Sequence, residues 1–418
     1  MNGLLESTKK ISRRYFIFLK WMLLSSITGI IVGCIGTLFH YSISIVTTLR
    51  ENNPWFIFLL PIAGLAIVFL YHFAPTSEDI STNLVLESIR SSKHLPLIMA
   101  PLIFIATTLT HLAGGSSGRE GAALQLGGSL STFIGKCFHL DDDDLRILTM
   151  CGMSAAFAAL FRTPITATIF SMEVVSVGIM YYVALVPCII ASLLGYAISG
   201  YFNVESTYYE MNLLSSFDLT TLFQVIGLGI LCAIVSILFC KMLHIAHKLY
   251  AHFFKNAYLG ILIGSVLIIL LAFLVNSTDY LGAGMATIEK ALSGDAVPEA
   301  FALKILFTAI TLGAGFKGGE IVPSFFVGAT FGAVIGPILG LSSSFSASLG
   351  LIALFCGVTN CPMTSFILST EMFGNHGSIY FMLIIAISYM LSGYSGLYTK
   401  QKMMYSKFKP QFLNQLTH

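Results

Sequence analysis

Two glutamates stand beside glycines inside apolar stretches. Glu120 lies in Gly115-Ser116-Ser117-Gly118-Arg119-Glu120-Gly121-Ala122-Ala123, and Glu320 in Gly318-Gly319-Glu320-Ile321-Val322-Pro323. A carboxylate at membrane depth costs about 2.5–3.5 kcal/mol on insertion scales, so its presence there calls for a reason. Neighbouring glycines leave backbone N–H groups open to close approach. A helix start adds unpaired N–H groups and a partial positive charge, which together bind anions. A carboxylate tethered at such a place can fill the anion site itself. Once protonated it loses its charge and can swing away, which makes one group both gate and proton carrier. The plainer reading of Glu120 is a helix cap.

These residues need a membrane scaffold to position them, and the composition supplies one. Of 418 residues, 56% are hydrophobic and 10% charged, against about 25% charged in a soluble domain. A polytopic α-helical membrane protein follows. The net charge of +2 gives no argument for nucleic acid. Basic residues crowd both ends: Lys9, Lys10, Arg13, Arg14 and Lys20 at the start, Lys400, Lys402, Lys407 and Lys409 at the finish. By the positive-inside rule both termini of this multi-pass chain are expected in the cytoplasm. The apolar run from Trp21 to Leu38 is longer than a signal-peptide core and reads as a retained first helix. The eight cysteines sit mostly in apolar runs, and no spacing suggests a metal site, a cofactor or a disulfide framework. An enzyme is excluded on the same ground: no ligand spacing, nucleophile–base pair or phosphate loop is visible.

An internal repeat divides the chain. Pro164, Thr166, Ile169, Ser171 and Glu173 match Pro362, Thr364, Ile367, Ser369 and Glu371 in type and spacing, and a Cys-Gly pair precedes each copy, at 151–152 and 356–357. The expected organisation is a cytoplasmic segment 1–14, a first membrane half 15–210, a second half 211–405 and a cytoplasmic segment 406–418. Glu173 and Glu371 read as buried acids that stabilise helices. Segments 120–135, 163–176 and 361–374 are too short or glycine-rich to span about 30 Å of hydrocarbon, so broken helices around an internal pathway are expected. Internal repeats place the substrate site at their interface near the midplane.

Gly118-Arg119-Glu120-Gly121-Ala122 resembles the GREGP motif of the CLC chloride channels and transporters, and Gly319-Glu320-Ile321-Val322-Pro323 their GxFxP motif. Cys151 to Ala156, followed by Phe170 to Glu173, is similar to the segment after GREGP. The resemblance covers about residues 20–405. It implies an all-α inverted-repeat bundle with many tilted and broken transmembrane helices, a homodimer with one pore per subunit, and the bacterial type without CBS domains, in a bacterial plasma membrane. Carried over by motif, Glu120 is the gating and proton-transfer glutamate. The anion is expected to meet Thr82, Gly121, the N–H groups of Ile321 and Val322, and the hydroxyl of Tyr398. Arg119 and Glu320 are candidates for pore or selectivity roles, Arg119 leaning towards a structural one.

The departures bear on the anion. The family's GSGIP corresponds to Ser81-Thr82-Asn83-Leu84-Val85, where Thr82 keeps a hydroxyl but the glycines and proline are gone. Val174 stands where chloride exchangers often carry an inner proton-relay glutamate. Glu320 and Val174 lean towards the fluoride-exporting branch, although that branch usually has a threonine where this chain has Val322. The expectation is exchange of a halide for protons through Glu120, with chloride the first choice on the Thr82 hydroxyl. Fluoride/proton antiport and a passive chloride channel are the alternatives.

Overall fold

The computed structural model describes residues 2–74, 80–91, 93–209 and 218–417, with side chains described from residue 10 onward. The boundary expected between residues 210 and 211, together with Met1 and His418, lies outside the described residues.

The first half holds α1 (Asn2–Asn52), α2 (Leu60–His72), α3 (Thr82–Arg90), α4 (Met99–Leu112), α5 (Glu120–Cys137), α6 (Asp142–Phe161), α7 (Pro164–Glu173) and α8 (Leu185–Tyr201). The second holds α9 (Leu219–Phe253), α10 (Ala257–Val275), α11 (Met285–Ser293), α12 (Ala300–Gly313), α13 (Ile321–Ile338), α14 (Ser343–Thr359), α15 (Pro362–Phe373) and α16 (Ser378–Leu391). Seven helical segments among the described residues are long and apolar enough to cross a membrane, and four shorter apolar helices accompany them. Both glutamate motifs stand where helices begin: Glu120 is the first residue of α5 and Glu320 is the N-cap of α13.

The two halves use the same packing device at equivalent places. A methyl group at Gly127 would come within 2.2 Å of the Gly152 carbonyl oxygen, so α5 and α6 cross backbone to backbone. At Gly328 it would lie 2.4 Å from the Gly350 oxygen, which brings α13 and α14 together in the same way. Small residues at crossings are how helices associate when lipid supplies no hydrophobic drive. Each inner helix then ends on a residue in the left-handed region, Arg162 (φ 56°) after α6 and Asn360 (φ 59°) after α14, two positions before the proline that opens the next helix.

The repeated glutamates tie the halves to each other. Glu173, the last residue of α7, accepts N–H groups from Met363 (3.1 Å) and Thr364 (2.8 Å) and the Thr364 hydroxyl at the start of α15. Glu371 of α15 accepts N–H groups from Ile165 (3.0 Å) and Thr166 (2.8 Å) at the start of α7. Each carboxylate thus caps the other half's helix and meets its positive end. Five phenylalanines close a ring across the same junction. Phe157 meets Phe161 and Phe170, Phe325 meets Phe161 and Phe355, and Phe170 meets Phe355, with centroids 4.6–6.4 Å apart.

One small sheet departs from an all-helical bundle. β1 (Ser176–Val177) pairs parallel with β2 (Lys402–Tyr405), which pairs antiparallel with β3 (Phe412–Leu416). The segment after 406 therefore folds back onto the bundle. Lys407 Nζ donates to the Asn360 side chain, the Tyr389 carbonyl (2.8 Å) and the Ser392 hydroxyl (3.1 Å). Burial pushes this ammonium down to about 8. Fully buried Gln401 donates to the carbonyls of Val174 (2.9 Å) and Thr359 (2.8 Å). Four consecutive aspartates, Asp141–Asp144, form the start of α6. Asp141 caps α6 through the Asp144 N–H (2.8 Å), and Asp144 pairs with Lys20.

Glu173→Gln and Glu371→Gln each place an amide NH2 among N–H donors and remove a charge-assisted bond of about 1.5–3 kcal/mol. Both variants are expected to melt earlier in detergent. Glu173→Gln should melt lower of the two because its partner set includes the Thr364 hydroxyl. Unchanged melting temperatures would contradict the capping role.

Candidate anion site

The starts of α5 and α13 meet across an isolated two-residue bridge. Gly118 N–H donates to the Gly319 carbonyl and Gly319 N–H to the Gly118 carbonyl, both at 2.7 Å. This pair aims two helix N-termini at one place. The Glu120 carboxylate folds back into it: Oε2 accepts the Val322 N–H (3.2 Å), with the amides of Arg119 and Glu120 also in reach. Its Oε1 is buried without a partner among the described residues. Glu120 is therefore held in the pose in which its own carboxylate occupies the junction.

Gly121 continues α5 beside Thr82, the first residue of α3. The Thr82 hydroxyl donates to the Gly121 carbonyl (3.3 Å) and accepts from Gln125 Nε2 (3.0 Å). Its one proton is thus already committed within the protein. Ile321 and Val322 form the first turn of α13 and are fully buried. Tyr398 is buried in the turn after α16, with Glu320 and Glu120 as charged neighbours. The Tyr398 backbone is fixed from the tail: its carbonyl accepts from Gln401 N–H (2.9 Å) and the Thr417 hydroxyl (2.6 Å). Thr82 meets Gly121, Val322 meets Glu120, and Tyr398 lies within electrostatic reach of Glu120 and Glu320, with the Ile321 amide at the start of the same helix as Val322.

Arg119 points away from the junction. Its Nη1 donates to His40 Nδ1 (3.0 Å) on α1 and its Nη2 to the Leu160 carbonyl (3.4 Å) at the end of α6, so it braces the α5 start against two neighbours. Glu320 is half-buried, and although it is the N-cap its side chain does not cap α13. Its electrostatic neighbours are Tyr398 and Cys240 of α9. His111 is a helix histidine whose Nδ1 donates to the Thr107 carbonyl (2.9 Å).

Several residues around the site carry no sequence motif. Gln125 lies on α5 a little over one turn beyond Glu120, and its polarity in an apolar helix is the signal that could have marked it. Lys304 of α12 is fully buried. Its ammonium donates to the carbonyls of Tyr280 (3.1 Å) and Gly282 (2.7 Å) and sits 5.0 Å from the ring centre of Phe326 in α13. No group of His, Cys, Asp and Glu residues suited to a metal ion occurs among the described residues.

Two repeated halves whose helix starts pair through the Gly118–Gly319 bridge at their interface define a membrane bundle built around an anion-binding junction. The family described as "Voltage gated chloride channel" matches residues 63–393, and the chain belongs to this CLC family of anion transporters. It is 32% identical over 395 residues to a "Chloride/fluoride channel protein" of Pseudomonas syringae pv. tomato, which covers 93% of this chain and 87% of the relative. It is 25% identical over 400 residues to an "H(+)/Cl(-) exchange transporter ClcA" of Vibrio campbellii, covering 88% and 84%. The crystal structure of a CLC-type fluoride/proton antiporter superposes with a TM-score of 0.88 at 29% identity, covering 93% of this chain and 99% of that one. The chain is a multi-pass membrane protein and not an enzyme.

A methyl group at Gly319 would lie 2.7 Å from Glu120 Oε2 and 2.8 Å from the Glu120 and Gly121 nitrogens, so the junction has no room for it. Gly319→Ala is expected to cut anion flux in vesicles by about tenfold, the scale of a 1–3 kcal/mol overpacking strain. Gly227→Ala, whose nearest neighbour would be 3.8 Å away, should leave flux unchanged. Equal flux in both variants would contradict the close-approach argument.

Proposed function

We propose that this protein exchanges fluoride for protons across a bacterial plasma membrane, with Glu120 as the shared gate. The observation that carries the reading is the Glu120 carboxylate seated on the Val322 N–H at the paired helix starts. A carboxylate and a free anion compete for that place, so protonating Glu120 releases its amides to the anion, and anion departure returns the carboxylate. Fluoride is preferred to chloride on two grounds. The first is likeness to the Pseudomonas chloride/fluoride protein and to the fluoride/proton antiporter. The second is Thr82: the hydroxyl on which chloride was the first choice gives its proton to the Gly121 carbonyl. A small, charge-dense anion is served by short charge-assisted bonds from backbone N–H groups and the Tyr398 hydroxyl. Glu320 supplies a second carboxylate beside that tyrosine. Arg119 acts by holding the α5 start in place.

Chloride/proton exchange is the second reading, favoured by the Thr82 hydroxyl beside Gly121 and by the Vibrio exchanger. In either case both termini face the cytoplasm, as the basic ends require, and two copies assemble as a homodimer with one pathway each.

Purified protein in liposomes, supplied in turn with fluoride, chloride and nitrate gradients, tests the reading. Fluoride is expected to move and to drive protons the opposite way, with chloride far slower. Glu120→Gln should reduce proton flux by about 100-fold, the scale of a lost acid–base group. Chloride moving as fast as fluoride, or fluoride moving without protons, would sink the proposal.

A further inference from the structure

Two segments long and apolar enough to cross a membrane, Asp142–Phe161 and Tyr182–Tyr201, begin at the end of the bundle that carries the tail. A cavity of about 480 Å³ opens between their starts. The end of α3 contributes Arg90, the first turns of α6 contribute Asp143 and Arg146, and β2 contributes Lys402. Ile179 and Val183, from the link between β1 and α8, give it an apolar wall.

The charge of this cavity is not balanced from within. Three cations line it against one acid. Asp143 is paired with Arg146 at 3.0 Å. Arg90 donates to the carbonyls of Leu86 (3.4 Å) and Lys400, and Lys402 to the Asn414 side chain (3.1 Å), so the hydrogen bonds of both go to neutral partners. Glu87, an electrostatic neighbour of Arg90, is paired with Lys93 at 3.4 Å. An anion is the complement that the cavity lacks.

Its level in the bundle narrows the kind of anion. A crossing segment begins at the boundary between water and hydrocarbon, so a cavity between two such starts lies at the depth of lipid headgroups. Tyr181 in the lining and exposed Tyr182 beside it suit that depth, where tyrosines gather. Past the rim, Val183, Leu185 and Val186 are exposed on the outside of the bundle. The apolar wall therefore continues onto a surface that matches acyl chains, while the cations stand at the polar end. The volume lies within the range of about 300–1,000 Å³ typical of small-ligand sites.

We propose that this cavity binds the headgroup of an anionic phospholipid. Its phosphodiester sits among Arg90, Arg146 and Lys402, and its chains lie along Val183 and the start of α8. Basic pockets between membrane helices suit such headgroups. The occupant also has a mechanical effect. α3 runs from Thr82 at the candidate anion site to Arg90 at the cavity, and Lys402 follows closely after Tyr398. The lipid fastens the outer ends of two segments whose inner ends lie at that site. The inference holds whichever halide is carried.

The test uses the purified full chain in detergent, with dioleoyl phosphatidylglycerol, dioleoyl phosphatidylcholine or inorganic phosphate added in turn. Native mass spectrometry counts bound lipid, and melting curves read stability. Phosphatidylglycerol is expected to bind and to raise the melting temperature, and the other two are not. Lys402→Gln and Arg146→Gln should each weaken phosphatidylglycerol binding about fivefold, the scale of one cation facing an anionic lipid. Lys402→Arg keeps the charge and should bind as wild type does. Lys255→Gln removes an exposed lysine outside the cavity and should also bind as wild type does. Unchanged binding in both Lys402→Gln and Arg146→Gln would overturn the proposal. So would equal binding of phosphatidylcholine, which marks ordinary lipid solvation, or equal stabilisation by inorganic phosphate, which marks a free-anion site. Equal weakening in Lys255→Gln would reduce the effect to general surface charge, and equal weakening in Lys402→Arg to a structural role; either contradicts the assignment. A dimer that takes up no phosphatidylglycerol would place a second copy on this face and overturn it as well.

Discussion

Two helix N-termini that point at each other cannot stay together without something negative between them. Each carries roughly half a positive charge from its unpaired N–H groups, so the paired starts of α5 and α13 present about one charge to one place. The Gly118–Gly319 bridge holds them there by satisfying two backbone donors and two acceptors that lie too deep for water. One carboxylate, or one anion, completes the arrangement. Glu120 is built into the first of those helices and fills the place when no anion does. The competition between tethered and free negative charge follows from this geometry.

The rest of the fold keeps that junction from opening. Helices α5 and α13 are each pressed against the next helix by glycine contacts too close for any other residue. The halves are then cross-tied by Glu173 and Glu371, each capping a helix that belongs to the other half. Glu173 is buried and Glu371 half-buried, and a carboxylate withdrawn from water in this way is expensive unless hydrogen-bonded. The structure gives each at least two N–H partners. The tail performs the same service for Tyr398, whose carbonyl is held by Gln401 and Thr417.

Much of this was legible in the residues themselves. Glycine beside glutamate marked both helix starts, because only glycine permits that approach. The repeated proline-to-glutamate segments marked the reciprocal caps, since identical spacing in two halves implies identical packing. What the sequence hid depends on contacts between residues distant along the chain. The hydroxyl of Thr82 looks like an anion donor until Gly121 and Gln125 are found beside it. Lys304, Gln125 and the five-phenylalanine ring carry no local pattern, because their partners lie on other helices. The hairpin after Lys400 was unreadable because short strands flanked by lysines look like a solvated terminus until Lys407 is seen hydrogen-bonded to Asn360, Tyr389 and Ser392.

The central claim is that Glu120 and the transported anion compete for the same amides. Fluoride binding to the purified protein, measured by calorimetry across a range of pH in wild type and Glu120→Gln, tests it most directly. The account predicts that wild-type binding strengthens as pH falls and Glu120 gives up the junction. Glu120→Gln should bind fluoride with little dependence on pH. Wild-type binding that matches the variant and does not change with pH would contradict it.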